Sequence, residues 1–160
     1  TCALPISGIR PQEVTRLTWN DIFLDTPSKV IKVRSMASKT GGTRQVSICA
    51  ALESWLRIAP RQEDNSICPP QWPVRWAGLR YRAGWDANGK RWPNDALRHT
   101  FASYHVLTHR DIPRLQLEMG HSSSTQIMHR YMNLSGVDQE MAECFWNIVP
   151  EEDFYADRNA

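Results

Sequence analysis

At 160 residues, with 41% hydrophobic and 22% charged side chains, the chain suits a single globular domain with a real core. No apolar run approaches the roughly 20 residues that a membrane span needs, so no membrane partner is expected. A formal net charge of +2 is too small to announce a nucleic-acid protein by itself, so any such case rests on where the charges sit.

The opening TCALPI has neither a helical nor a strand period and reads like the translation of a sequencing-adapter end. Residues 1–6 are expected to be a non-native leader on a chain truncated at its front. The domain is then expected over 7–150, with an acidic, flexible tail over 151–160. From Pro11, with Glu13, Val14 and Leu17 following, the pattern predicts a short amphipathic helix that ends near Trp19. Lys29 to Arg34 reads as a strand, Lys39-Thr40-Gly41-Gly42 as a turn and Arg44 to Ile48 as the returning strand, which together predict a hairpin. Ala50 to Ile58 is a predicted helix, and Pro60 to Pro73 a proline-marked connection. Val74 to Trp85 is predicted helical, with a turn at Asn88-Gly89. Asp95 can cap a helix carrying Leu97, Phe101, Tyr104 and Leu107, and Asp111 to Met119 forms another, stopped by Gly120. Short helices are predicted at Ser124 to Tyr131 and Val137 to Trp146. The fold class is therefore mainly α with a small antiparallel β-hairpin or sheet.

Charge and cysteine placement add to this. Between Val74 and Trp92 five basic residues, Arg75, Arg80, Arg82, Lys90 and Arg91, face the single acid Asp86, whereas from Glu151 to Ala160 four acids face only Arg158. Trp72, Trp76, Trp85 and Trp92 interleave with those arginines. Such rings either stack on DNA or, as amphipathic aromatics more often do, seal a core edge. Cys2, Cys49, Cys68 and Cys144 are scattered, without a C-x-x-C pair or metal-like spacing, which predicts reduced thiols and a cytoplasmic chain.

Breaking a phosphodiester without a metal takes a nucleophile, donors for the non-bridging oxygens and an acid for the leaving oxygen. Arginine suits the donor role because its planar fork bonds two phosphate oxygens and stays charged. Four segments carry candidates in order: SGIRPQEVTRLTWNDI with Arg10, ASKTGGTRQVSI with Lys39, ALRHTFASYHV with Arg98 and His99, and LEMGHSS with His121. HRYMN, with Tyr131, follows. Together they resemble the catalytic domain of the tyrosine recombinases, the phage-integrase family, over Ser7 to Pro150.

The resemblance implies a site-specific recombinase that cuts and rejoins double-stranded DNA. Tyr131 would be the nucleophile, Arg10, Arg98 and His121 the phosphate-holding groups, and Lys39 the acid for the departing 5′-oxygen. It implies no cofactor, no metal, a homotetramer on paired DNA sites with the segment around Val137 to Trp146 docked on a neighbour, and a nucleoid-associated place in the cytoplasm. Arg44, Arg75, Arg80, Arg82, Lys90, Arg91 and His129 are the candidate DNA contacts. Two positions depart from the common pattern. Asp95 stands where the family usually has histidine; a carboxylate can accept the tyrosine proton but repels phosphate, so Asp95 is either a base or only the helix cap. The interval from His121 to Tyr131 is one residue longer than the commonest spacing. A DNA-binding remnant without catalysis and a type IB topoisomerase-like strand transferase remain alternatives. His105 and His109, four apart, have zinc-like spacing but no obvious third ligand, and the serines at 122–124 lack a G-x-S-x-G elbow.

Overall fold

A computed structural model of the chain describes residues 6–38, 41–87, 89–121, 123, 125 and 136–151. Helix α1 spans Pro11–Val14, and a 3-10 turn at Trp19–Asp21 leads into the strands β1 (Ile22–Phe23), β2 (Val30–Val33) and β3 (Arg44–Ser47). Helices α2 (Ala50–Ile58), α3 (Trp72–Arg82), α4 (Ala96–His109), α5 (Ile112–Met119) and α6 (Gln139–Trp146) follow. The three strands form one antiparallel sheet in the order β1-β2-β3.

Alternation sets the register of the hairpin. Ile31 pairs with Val46 and Val33 with Arg44. Ile31, Val33 and Val46 are buried, while Lys32 and Gln45 point to solvent, so a one-residue slip would turn the apolar set outward. β1 adds two residues to the far edge of β2, pairing Ile22 with Ile31 and Phe23 with Val30. α2 lays Ala51, Leu52 and Leu56 on the sheet. Its exposed side carries Glu53, which pairs with Arg57 one turn on at 2.7 Å and with Lys29 beside the sheet at 2.6 Å.

α1 is shorter than its periodicity predicts. Thr18 and Asp21 form their own capping box, with Thr18 N and Oγ1 donating to Asp21 Oδ2 at 2.9 and 3.0 Å. This starts a separate turn, and the chain is drawn aside by a bridge between Thr18 and Ser66. That bridge also orders the connection that the prolines left open. α3 begins at Trp72 rather than Val74, because Pro73 falls in its first turn, where a missing N–H costs nothing.

Two apolar clusters result. The first joins the sheet, α1, α2 and the front of α3, and includes Ile6, Ile9, Val14, Leu17, Ile31, Val46, Leu52 and Trp72. Ile6 is 1% exposed within this cluster. The second cluster gathers Phe101, Ala102, Leu115, Met119 and Phe145 from α4, α5 and α6. α6 packs on its own chain: Phe145 lies 4.6 Å from the Tyr104 ring, and Trp146 Nε1 donates to Thr108 Oγ1 at 2.9 Å. No helix among the described residues is long and apolar enough to cross a membrane.

His105 lies against the second cluster, 3% exposed, with the His109 ring 4.8 Å away. Burial, helped by the charge His109 can carry, pushes its pKa down to about 4. The unfolded chain therefore binds the extra proton first as pH falls. Stability from this group is complete above about pH 6.5 and declines toward about pH 4, by up to about 3 kcal/mol. Urea unfolding across that window should show the loss, and His105→Leu should flatten it; an unchanged slope would refute the assignment. In the first cluster, Leu52→Ala should lower unfolding free energy by about 2 to 5 kcal/mol in the same measurement at neutral pH.

Candidate active site

Arg10 precedes α1 in extended conformation, and the turn that delivers it depends on Gly8. Gly8 has φ +64°, and a Cβ there would lie 2.4 Å from Phe101 Cδ1. Only glycine lets the first segment lie this close to α4. Arg10 N donates to Glu13 Oε2 at 3.2 Å and its Nη1 to Glu13 Oε1 at 3.3 Å. The same Nη1 reaches the Met119 carbonyl at 3.5 Å.

Arg98 sits in the first turn of α4, only 4% exposed. Its Nη1 donates to the Gly8 carbonyl and its Nη2 to the Met119 carbonyl, each at 2.5 Å. The two arginines thus meet at one oxygen. That oxygen belongs to the last residue of α5, where carbonyls without helical partners concentrate partial negative charge. The helix ends there because Gly120 takes φ +63°. The next residue is His121, whose N–H closes back on the Gln116 carbonyl at 3.1 Å, so its half-buried ring starts two residues beyond the shared oxygen.

Beneath the pair lies a buried ionic lattice. Glu13, 0% exposed, receives Arg44 through both guanidinium ends, Nη1 to Oε1 at 3.1 Å and Nη2 to Oε2 at 2.6 Å, while Arg44 Nε donates to the Glu118 carbonyl at 2.7 Å. Glu118 in turn accepts Ser47 Oγ at 2.7 Å and Arg114 Nε at 3.0 Å. Arg44 is therefore turned inward, its side chain 8% exposed, where its place in the hairpin suggested a side chain facing DNA. Three of its five N–H donors are committed to a buried carboxylate and a helix-end carbonyl.

Asp95 occupies the position before α4, but in the left-handed region at φ 53°, and its side chain makes no cap hydrogen bond. Capping needs an extended backbone to aim the carboxylate at the following amides, so the expected cap is not made. Asp95 instead lines an open hollow of about 260 Å³ with Arg10, Gln12, Trp76, Arg80, Trp92 and Asn94. The tryptophans settle as a packed chain: Trp72 stacks on Trp76 at 5.7 Å, and Trp92 meets Trp76 and Trp85 edge-on at 5.6 and 5.3 Å. They seal the edge of the first core, and Arg80 and Lys90 ride on them, 5.8 Å over Trp76 and 4.4 Å over Trp85. Arg80 also pairs with Asp86 at 2.9 Å. Arg75, Arg82, Lys90 and Arg91 are exposed. Lys39, His129 and Tyr131 lie outside the described residues. Among the described residues, no three His, Cys, Asp or Glu side chains cluster as a metal site.

Sequence reasoning missed the Met119 carbonyl, Glu118 and the inward role of Arg44. A backbone oxygen has no signature in side-chain identity. A glutamate within an amphipathic helix reads as solvated, and the only available hint was that Gly8 and Gly120 each precede a candidate by one or two residues.

The phage integrase family model matches residues 1–136, and the chain belongs to that family. Its fold is that of tyrosine recombinase catalytic domains. It is similar to the XerA recombinase, with a TM-score of 0.61 and 18% identity over 99% of this chain and 56% of that one. The Tn1549 transposon integrase in complex with transposon right-end DNA gives 0.58 and 19% over 89% and 55%. The XerH site-specific recombinase bound to difH substrate, a pre-cleavage complex, gives 0.57 and 20% over 93% and 45%. The chain spans about half the length of these proteins. No curated protein matches it by sequence.

If Glu13 is the counter-charge on which both Arg10 and Arg44 depend, Glu13→Ala leaves buried cations without a partner. The expected loss is about 3 to 5 kcal/mol in urea unfolding. A change below about 1 kcal/mol, the scale of an exposed pair, would show that the lattice does not hold the domain together.

Proposed function

We propose that residues 7–150 are the catalytic domain of a site-specific recombinase that cleaves and rejoins double-stranded DNA through a 3′-phosphotyrosyl intermediate. The observation that supports this best is the meeting of Arg10 and Arg98 at the Met119 carbonyl, two residues before His121, in a member of the phage integrase family. Two forked cations at one point provide for the two non-bridging oxygens of a phosphodiester, and their charge offsets what accumulates in the transition state.

The step is a transesterification. The Tyr131 oxygen bonds to phosphorus, the bond from phosphorus to the 5′-oxygen breaks, and Lys39 gives that oxygen its proton. The tyrosine proton passes to a nearby base, for which the Asp95 carboxylate, at the edge of the hollow that Arg10 lines, is a candidate. One phosphoester replaces another, so attack by a second strand's 5′-hydroxyl reverses the step without an external energy source. Close to a phosphate, a carboxylate repels the charge that the arginines attract, so Asp95 is expected to slow the reaction relative to a histidine.

Exposed Arg75, Arg82, Lys90 and Arg91, with Arg80 and His129, are proposed to track the DNA backbone, which makes binding strongly salt-dependent. The solved relatives with DNA support a duplex partner. A homotetramer on two sites, work at the nucleoid, and residues 151–160 as a tail outside the catalytic unit complete the proposal.

Covalent trapping tests it. Duplexes selected for binding from a random pool, then nicked to prevent religation, should yield a protein–DNA adduct that survives denaturation and is indifferent to EDTA. Tyr131→Phe should remove the adduct while leaving DNA affinity within about threefold, since the lost hydroxyl acts in the chemistry rather than in backbone binding. Binding without any wild-type adduct would reduce the domain to a DNA-binding remnant; an adduct that persists in the phenylalanine variant would place the nucleophile elsewhere.

A further inference from the structure

We propose that Arg44 is a positioning residue that sets the geometry of the arginine pair and ties it to the root of the hairpin. The proposal rests on the function proposed above. Arg44 touches one of the two groups that orient Arg10, the Glu13 carboxylate, and the residue next to the other, Met119. Its fork closes on Glu13, whose two oxygens also take the main-chain and side-chain donors of Arg10. Its Nε holds the Glu118 carbonyl, one residue before the carbonyl shared by Arg10 and Arg98. A shift of the Arg44 guanidinium therefore moves the carboxylate behind one arginine and the helix end in front of both.

The same side chain opens β3, opposite Val33, and so fastens the hairpin to α1 and α5. Ser47, three residues on, supplies a second fastening through Glu118. In sequence Lys39 precedes this strand by five residues, so the proposed acid lies a short way along the chain from the Arg44 anchor of the proposed phosphate clamp. Gly120 leaves the room that the anchor needs. A Cβ there would lie 3.0 Å from Arg44 Cδ, 3.2 Å from Nε and 3.3 Å from Nη1.

A buried arginine beside a buried glutamate also has a plain structural use, charge neutralisation, and lysine separates the two roles. Lysine keeps the charge against Glu13, but one ammonium on a flexible stem cannot form a two-point fork and also hold the Glu118 carbonyl. Arg44→Lys should fold, with a Tm within a few degrees of wild type by circular dichroism. Inorganic phosphate, titrated and followed by ³¹P NMR line broadening, should bind about tenfold more weakly, and adduct formation at saturating DNA should slow by about 10- to 100-fold with DNA affinity changed less than about threefold. Gly120→Ala, which pushes on Arg44 without removing its charge, should weaken phosphate binding in the same direction.

Arg44→Lys with wild-type phosphate affinity and adduct rate overturns the proposal. If that variant does not fold, unchanged phosphate affinity in Gly120→Ala overturns it, and failure of both to fold assigns Arg44 to stability alone. A wild type that binds phosphate but gives no adduct fails the transesterification reading, and the variants' phosphate affinities then judge Arg44 by themselves. A wild type that binds no phosphate removes both.

Discussion

The site depends on a single carbonyl oxygen at the end of α5. Arg10 and Arg98, 88 positions apart in the sequence, both point donors at Met119, and nothing in their own helices would bring them together. Two guanidinium groups held close repel each other, and the repulsion grows as water is excluded. Three acceptors offset it: the helix-end carbonyl, the Gly8 carbonyl and the wholly buried Glu13 carboxylate. The arrangement is fixed by the protein's own groups, which is the condition that the proposed reaction would need of its charges.

That oxygen stands at the seam of the molecule. The residues before α1 belong to the first apolar cluster, the partner end of α5 to the second, and Gly8 lets them approach within van der Waals contact of Phe101. Polar groups at such a seam need partners from both sides, and the Glu13–Arg44–Glu118 lattice supplies them from α1, β3 and α5. The tryptophan chain closes the edge of the first core beside the hollow, so the aromatic residues build the wall and leave the surface to the arginines.

Much of this architecture was readable from the residues. α2 occupies Ala50–Ile58, as its periodicity predicts, and the hairpin and α4 fall where alternation and helical spacing place them, because each buries one regular face. β1 escaped notice since a two-residue strand carries no period. The end of α1 was misplaced because Thr18 and Asp21 restart the chain locally, and Asp95 was given a capping role that its left-handed backbone denies it. The convergence of Arg10 and Arg98 on Met119, two residues before His121, was legible only as a family resemblance. Their spacing in sequence carries no geometric signal, and the group that joins them is main chain. Arg44 was read as a surface contact for the same reason: its destination is set by Glu13, 31 residues earlier, and not by its neighbours in the strand.

Trp146 has a consequence for how the molecule comes apart. Its indole packs against both apolar clusters, touching Phe101 and Phe145 on one side and the first core on the other, while Trp55 hydrogen-bonds the Ile148 carbonyl just beyond it. A residue shared by two clusters couples their melting, so that neither can loosen without exposing a face of the other. The end of the last described helix thus ties the two clusters together through chain segments outside the Arg44 lattice, so the domain is pinned at its final helix as well as at its buried charges.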